Sequence, residues 1–204
     1  MNNDFKKYVV PLTAWSNGIE VEGVGVLIGN LFITAGHALS QLENISFVID
    51  GQKYKFKKQQ ALALEMPTQN LQGGDYDICI FKIDGIFSPF TLAEEMPELG
   101  QNLTSVSHKH IIRKNQISTD ESLFDRINEE TIDIRKSIGI VTDIEMNFFA
   151  CQMTEPLEEG RSGSPIFIGN KVYGILHGGK DNGYKCVYQS SKSIIEYLSS
   201  IMKQ

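Results

Sequence analysis

Residues 45–56 have the sequence ISFVIDGQKYKF, and their pattern indicates the secondary structure expected for much of the chain. Two β-rich runs flank Asp50-Gly51, a residue pair that favours the two-residue turn of a β-hairpin. The run from Gln52 to Phe56 alternates polar and apolar residues, which is typical of a strand with one buried and one solvated face. The segment therefore predicts an antiparallel hairpin.

Turn signals of the same kind separate short β-rich runs along the rest of the chain. They occur at Gly29-Asn30, Asp84-Gly85, Gly169-Asn170 and Asn182-Gly183. Many short strands joined by such turns favour an all-β barrel or sandwich over a parallel α/β sheet. The one clear helical pattern lies at the end, where apolar residues at 194, 197, 198 and 201 and nearby capping serines predict a helix over about residues 191–203.

The composition limits the partners that the protein can have. Of the 204 residues, 41% are hydrophobic and 22% are charged, which is enough apolar material for a sizeable core. The net charge of -6 argues against nucleic acid as a partner. Residues 23–39 carry no charge, but glycines and polar residues interrupt their apolar character, so we expect two buried strands there and no membrane span.

Other features bear on location and organisation. Three scattered cysteines, Cys79, Cys151 and Cys186, indicate no disulfide framework, and residues 1–8 lack a secretory pattern. We therefore expect a cytoplasmic location. A turn signal at residues 97–100 divides the chain into halves, 1–100 and 101–204. The polar stretch 108–130 is expected to be an exposed connection or a mobile loop.

The first candidate catalytic residue is Ser162, within the sequence GRSGSP at residues 160–165. Glycines on both sides of a serine let the backbone turn sharply and expose the hydroxyl group. The amide groups of Gly160 and Ser162 would then be available to an oxyanion. A surface loop rich in glycine, serine and proline is the alternative interpretation.

Two further candidates stand at the ends of apolar runs. His37 ends the run FITAGH at residues 32–37, and Asp77 opens the apolar run of DYDICIF at residues 75–81. A neutral imidazole can accept the proton of a serine hydroxyl, and a carboxylate can fix the tautomer of that imidazole. Asp75 competes with Asp77, but Asp77 directly precedes the apolar residues and is expected to be buried. Alone, each residue could equally be structural.

Together and in this order, the three motifs resemble the signatures of trypsin/chymotrypsin-like serine peptidases. The resemblance implies two six-stranded antiparallel β-barrels, with His37 and Asp77 in the first barrel and Ser162 in the second. It also implies an endopeptidase that forms an acyl-enzyme on Ser162, needs no cofactor and acts on a protein or peptide substrate. Within the family, residues 172–179 and 182–183 are most similar to the disulfide-free bacterial glutamyl endopeptidases.

The resemblance also implies a substrate pocket, whose preference stays open. Its expected lining is Pro156, Leu157, Glu159, His177, Gly178, Gly179 and Cys186. His177 has two interpretations, because it could bind an acidic substrate side chain or support the catalytic aspartate or the barrel. The acidic residues at 155, 158 and 159 have three interpretations. They could give a preference for basic substrate residues, belong to a solvated loop, or pair with Arg161.

Arg161 departs from the trypsin pattern, which has an aspartate before the nucleophile that pairs with a newly cut N-terminus. A cation cannot make that pair, so we expect no activation of that kind. His108 and His110 have a metal-like spacing, but no ligand cluster surrounds them, and we expect a solvated pair and no metal. Two rival functions stay open: a protease-like binding module without turnover, and a dormant protease that a regulatory protein activates through residues 113–136.

Overall fold

The computed structural model describes residues 5–16, 19–40, 42–67, 75–110 and 132–203. The N-terminal part forms one antiparallel sheet of seven strands in the order β5-β4-β1-β2-β3-β7-β6. These strands are β1 (Val9–Ser16), β2 (Ile19–Ile28), β3 (Leu31–Thr34), β4 (Asn44–Ile49), β5 (Gln52–Lys57), β6 (Ala63–Glu65) and β7 (Ile78–Lys82). The sheet thus has one strand more than the expected six.

The C-terminal part forms a second seven-stranded sheet in the order β12-β9-β10-β11-β14-β13-β8. Its strands are β8 (Thr91–Leu92), β9 (Asn102–His110), β10 (Ile132–Ile144), β11 (Phe148–Met153), β12 (Pro165–Ile168), β13 (Lys171–Lys180) and β14 (Lys185–Ser190). Pairing of β12 with β13 closes six of them into a ring, and β8 adds a short parallel edge to β13. The prediction of an all-β double barrel is confirmed, whereas the division into residues 1–100 and 101–204 stays a prediction.

The predicted hairpin is present, and its turn has the backbone conformation that its sequence favours. β4 pairs with β5 so that Ile49 faces Gln52 across the turn. The turn residues Asp50 and Gly51 both have positive φ values, 53° and 75°. This matches the two-residue turn whose twist suits paired strands. Ile45 and Phe47 on β4 are buried, as the pattern indicates.

Two α-helices lie at the ends of the described chain: α1 (Phe5–Tyr8) and α2 (Ser191–Ile201). The predicted terminal helix is therefore confirmed, although it ends at Ile201. Ser190 caps it, because its hydroxyl accepts a hydrogen bond from the Ser193 amide at 3.2 Å. Short 3-10 turns occupy Gly36–Leu39, Lys58–Gln60 and Asp181–Gly183. No helix in the described part of the chain is long and apolar enough to cross a membrane.

The two sheets share an apolar core. Val24 on β2 and Ile80 on β7 belong to the same buried cluster as Val106 on β9 and Ile175 on β13. α2 adds the fully buried Ile194 to this cluster, with Tyr197, Leu198 and Ile201 packed against it. Because packed interiors resist displacement, this cluster holds the loops at the junction of the sheets in a fixed relation.

The expectation of an exposed connection from residue 108 is wrong at its start. β9 continues to His110, and His108 pairs with Ile134 of β10. The His108 side chain is buried, so it is not part of a solvated histidine pair. Strand pairing explains the difference, because it holds a residue inside the sheet even where the local sequence is polar. Residues 111–131, including most of the expected docking segment 113–136, lie outside the described residues.

The cysteines are consistent with the absence of a disulfide framework. Cys79, Cys151 and Cys186 are all free and all buried. Burial raises the pKa of the Cys79 thiol to about 12. A thiol with so high a pKa is a poor nucleophile near neutral pH. These cysteines therefore act as small apolar side chains in the core.

Candidate active site

Neighbouring strands bring His37 and Asp77 together. β3 and β7 are antiparallel and pair Thr34 with Cys79. His37 follows the end of β3 after a short turn, and Asp77 directly precedes β7, so both lie at the same edge of the sheet. The turn needs a glycine at 36, because a Cβ there would overlap the carbonyl oxygen of Glu65 and lie 2.9 Å from that of Ile78.

His37 is held by two hydrogen bonds to the carboxylate of Asp77. The backbone amide of His37 donates to Oδ1 at 2.8 Å, and Nδ1 of its ring contacts Oδ2 at 2.7 Å. An ionised carboxylate only accepts hydrogen bonds, so the ring carries its proton on Nδ1. The other nitrogen, Nε2, then has a free lone pair and can accept a proton from a hydroxyl group.

A second histidine binds the same carboxylate oxygen. Nδ1 of His177 is hydrogen-bonded to Oδ2 of Asp77. This contact is the one expected if His177 supports the aspartate, whereas its role in a substrate pocket stays a prediction. The rings of His37 and His177 lie edge to face, with centroids 5.5 Å apart.

The second sheet also anchors the backbone of Asp77, through residues that the sequence patterns did not single out. The Asp77 amide donates to Oε1 of Gln189 at 2.9 Å, and Nε2 of Gln189 donates to the carbonyl of Asn147 at 3.0 Å. Gln189 is fully buried near the end of β14. The sequence offered one signal for Gln189, namely a polar residue at an inward position of a strand just before a helix. Such a residue indicates a hydrogen-bonded site, because buried amide groups require partners.

Burial and hydrogen bonding compete in setting the charges of the site. The side chain of Asp77 has 0% exposure, compared with 36% for His37 and 23% for His177. Burial by itself raises the pKa of Asp77, but the N–H groups of His177 and His37 outweigh burial and lower it to about 2. Burial lowers the pKa of His37, yet the hydrogen bond and charge of Asp77 raise it above 6.5 overall. At neutral pH the carboxylate is therefore ionised.

The loop that carries Ser162 is fixed between the two sheets. The carbonyl of Ser162 accepts a hydrogen bond from the amide of Val24 on β2 at 2.8 Å, and the amide of Gly163 donates to Leu176 on β13 at 2.8 Å. Gly163 has a φ of 90°, and a Cβ there would lie 2.5 Å from Oγ1 of Thr34. Thr34 ends β3, the strand that leads to His37, so the structure packs the loop of the half-buried Ser162 against that strand end.

The Ser162 hydroxyl and the His37 ring are not joined by a hydrogen bond in the described part of the structure. In catalytic sites without substrate this bond is often long and tightens only when substrate binds. The absence of this bond is therefore compatible with a hydroxyl and a base that engage when substrate is bound.

The expected oxyanion-binding groups lie in the same loop. Gly160 has a φ of 81°, which favours glycine. In the part of the chain that the structure describes, neither Gly160 nor Ser162 uses its amide in a hydrogen bond to another protein group. Ser164 stabilises the loop, because its hydroxyl donates to the carbonyl of Arg161 at 2.7 Å.

The side chain of Arg161 points into the second barrel. It is 1% exposed, and it donates a hydrogen bond to Oγ of Ser107 at 3.3 Å. A buried guanidinium is costly unless hydrogen bonds satisfy it, and Ser107 supplies one of these bonds. The acidic residues at 155, 158 and 159 are all exposed, as in a solvated loop.

A cavity of about 400 Å³ lies next to His177. Of the predicted pocket residues, His177, Gly178 and Gly179 line it. The other four do not: Leu157 and Cys186 are buried in an apolar cluster, Pro156 is half-buried and Glu159 is exposed. The rest of the cavity lining consists of Phe148, Phe149, Ala150 and Val187, together with the charged residues Asp143, Glu145, Lys180 and Lys185. The substrate pocket stays a prediction.

His37, Asp77 and His177 also need to be considered as metal ligands. One potential ligand atom from each lies within 4.8 Å of the others. Ligand atoms around a tetrahedral Zn²⁺ ion stand about 3.3 Å apart, given Zn–N and Zn–O distances near 2 Å. The 2.7 Å separation of His37 Nδ1 and Asp77 Oδ2 is instead that of a direct hydrogen bond. We therefore interpret the cluster as hydrogen-bonded.

Comparison with known proteins identifies the fold. No family model and no curated protein matches the chain. Among solved structures, tobacco etch virus protease in complex with its product has a TM-score of 0.65 at 15% identity, over 98% of this chain and 80% of that one. A protease of M. tuberculosis in its active form has a TM-score of 0.65 at 12% identity, over 96% and 81% of the two chains.

A third solved structure qualifies what this similarity means. An inactivated protease paralogue of the scabies mite has a TM-score of 0.66 at 14% identity, over 100% of this chain and 97% of that one. At these identities the similarity shows the chymotrypsin-like double barrel alone. Because the fold occurs in active and inactivated proteins, the chemistry must be argued from the site.

Proposed function

We propose that the protein is a serine endopeptidase in which Ser162 is the nucleophile, His37 the general base and Asp77 the residue that orients the histidine. The observation that carries the proposal is the pair of hydrogen bonds from His37 to Asp77, at 2.8 and 2.7 Å, at the edge where the Ser162 loop packs. This arrangement leaves Nε2 of His37 available to the hydroxyl of Ser162 in the proposed reaction. Nucleophile, base and orienting carboxylate are the three components of acyl transfer.

In the proposed reaction, His37 accepts the hydroxyl proton of Ser162 while Oγ forms a bond to the scissile carbonyl carbon. Negative charge develops on the carbonyl oxygen, where the amides of Gly160 and Ser162 would stabilise it. The ionised Asp77 stabilises the imidazolium that forms on His37. That imidazolium then protonates the leaving amine, and water releases the acyl group through the same base.

The substrate in this proposal is an extended segment of a protein. The second half of β13 pairs with β14, and no described strand pairs with its other edge near Gly178 and Gly179. A Cβ built on Gly178 would meet nothing within 4 Å, so the strand surface there is open. An extended peptide can add to such an edge through main-chain hydrogen bonds.

The finer parts of the proposal concern specificity and role. The similarity to bacterial glutamyl endopeptidases rests on sequence motifs, and the engagement of His177 with Asp77 argues against its use for an acidic substrate side chain. An intracellular processing or regulatory role is supported by three buried free thiols, which persist in a reducing environment. Profiling cleavage of a peptide library would identify the preferred residue.

The proposal predicts how activity depends on pH. His37 must be neutral to act as a base, and its pKa is raised above 6.5 by Asp77. We therefore expect kcat/KM to be low in acid and to rise with pH through a midpoint above 6.5. A peptide substrate assayed across pH 5 to 9, with protein integrity checked by circular dichroism, gives the midpoint. A midpoint below 6.5 would contradict the assigned partnership of His37 and Asp77.

Labelling by a fluorophosphonate tests the proposed function directly. The probe reacts with a serine only when a base activates it, so wild-type protein should gain one adduct and peptide mapping should place it on Ser162. Ser162→Ala should remain folded and unlabelled. Folded wild-type protein that fails to react would support the protease-like binding module. Reaction only after a partner protein is added would support the dormant enzyme.

A further inference from the structure

His177 occupies an irregular position in β13. Leu176 pairs with Tyr188 and Gly178 pairs with Val187, so His177 is an extra residue that faces no residue of β14. Such a β-bulge breaks the alternation of side chains along a strand and re-aims one of them. Here the re-aimed side chain reaches Asp77, which lies before β7 in the other sheet.

The ring of His177 connects the carboxylate to the cavity. Its Nδ1 donates to Oδ2 of Asp77, because an ionised carboxylate can only accept. The same ring lines the cavity and packs against Phe148, with ring centroids 5.9 Å apart. In the neutral ring, Nε2 is then the acceptor that water or a bound substrate can reach.

We propose that His177 is a positioning residue for the reaction at Ser162: it holds Asp77 in place with a second imidazole N–H. The inference rests on the proposed function. Asp77 accepts three N–H groups on its carboxylate, one from His177 and two from His37. Loss of any one leaves a buried anion less well stabilised.

Two substitutions separate the hydrogen bond from the packing of the ring. His177→Asn keeps an N–H donor near the position of Nδ1, whereas His177→Phe keeps a ring without a donor. We expect Phe to lower kcat about 10- to 100-fold with little change in KM, because one hydrogen bond to a buried charge is lost. Asn should stay within about fivefold of wild type at neutral pH.

The order of the two variants gives a readout that separates the hydrogen bond from ring packing. If His177 acted only by packing, the Phe ring would keep kcat and the smaller Asn side chain would lower it, whereas a role of the N–H group reverses this order. Equal losses in the Asn and Phe variants with unchanged thermal unfolding, or a larger loss in Asn than in Phe, would overturn the role of His177. Wild-type protein without activity or fluorophosphonate labelling would overturn the proposed function and this inference together.

Discussion

Asp77→Asn is expected to lower kcat/KM about ten-thousandfold while leaving the protein folded. Oδ1 of Asp77 accepts the His37 amide, and Oδ2 accepts ring nitrogens of both histidines. With the asparagine oxygen kept at the His37 amide, its NH₂ group would face both rings. Nδ1 of His37 would then have to act as an acceptor, which moves the ring proton to Nε2 and blocks transfer from Ser162.

Asp75→Asn is the matched control for this prediction. Asp75 is two residues away in the same segment, and its described bond is through its carbonyl, which accepts from Nδ2 of Asn147 at 3.0 Å. Its substitution should change kcat/KM less than about threefold, because the carboxylate of Asp75 does not contact His37. Steady-state kinetics on a peptide substrate, with circular dichroism to verify folding, compares the two. Similar losses in both variants would remove Asp77 from the assigned role.

Features that depend on neighbouring residues were predictable from the sequence. The hairpin from β4 to β5 follows from Asp50-Gly51 and from the alternating run after it, since both the turn conformation and the buried face are local properties. The terminal helix α2 likewise follows from apolar spacing and a serine cap. In each case the local preference and the final packing agree.

Contacts between distant parts of the chain were not predictable in the same way. The bond between His177 and Asp77 joins residues 100 positions apart, and it depends on a one-residue bulge that leaves no clear signature in the sequence. Gln189 reaches the Asp77 amide across the junction of the two sheets. The prediction could place each motif on a strand end, but not the additional polar groups that converge on the carboxylate.

Polar composition misled the prediction in the second barrel. Ser105, Ser107 and Arg161 are fully buried there, and Arg161 donates to Ser107. A search for alternating apolar residues misses strands whose inward side chains are polar, and β9 near His108 was therefore assigned to an exposed connection. Packing also buries Leu157 and Cys186, two residues that the family resemblance placed in the substrate pocket, in an apolar cluster; the pocket itself stays a prediction.

Gly163→Ala is expected to lower kcat/KM at least about 100-fold, because a displacement of about 1 Å at a catalytic group has a cost of that order. A Cβ at 163 would overlap the carbonyl oxygen of Val24 and lie 2.5 Å from Oγ1 of Thr34. Val24 cannot move easily, because it lies in β2 and pairs with Pro11 of β1. Its amide also donates to the Ser162 carbonyl, and its carbonyl accepts from the Thr34 hydroxyl. The Ser162 loop must therefore move away from His37.

Gly85→Ala separates this displacement from backbone strain. Gly85 has a φ of 83°, close to the 90° of Gly163, but a Cβ there meets nothing within 4 Å. Gly85→Ala should lose about 1–2 kcal/mol in the free energy of unfolding, because alanine tolerates positive φ poorly. Gly163→Ala should lose more than this, because the clash of its Cβ adds to the same backbone strain. Only Gly163→Ala should lose activity and react slowly with a fluorophosphonate. Full activity of Gly163→Ala would show that the proposed reaction does not depend on where this loop holds Ser162.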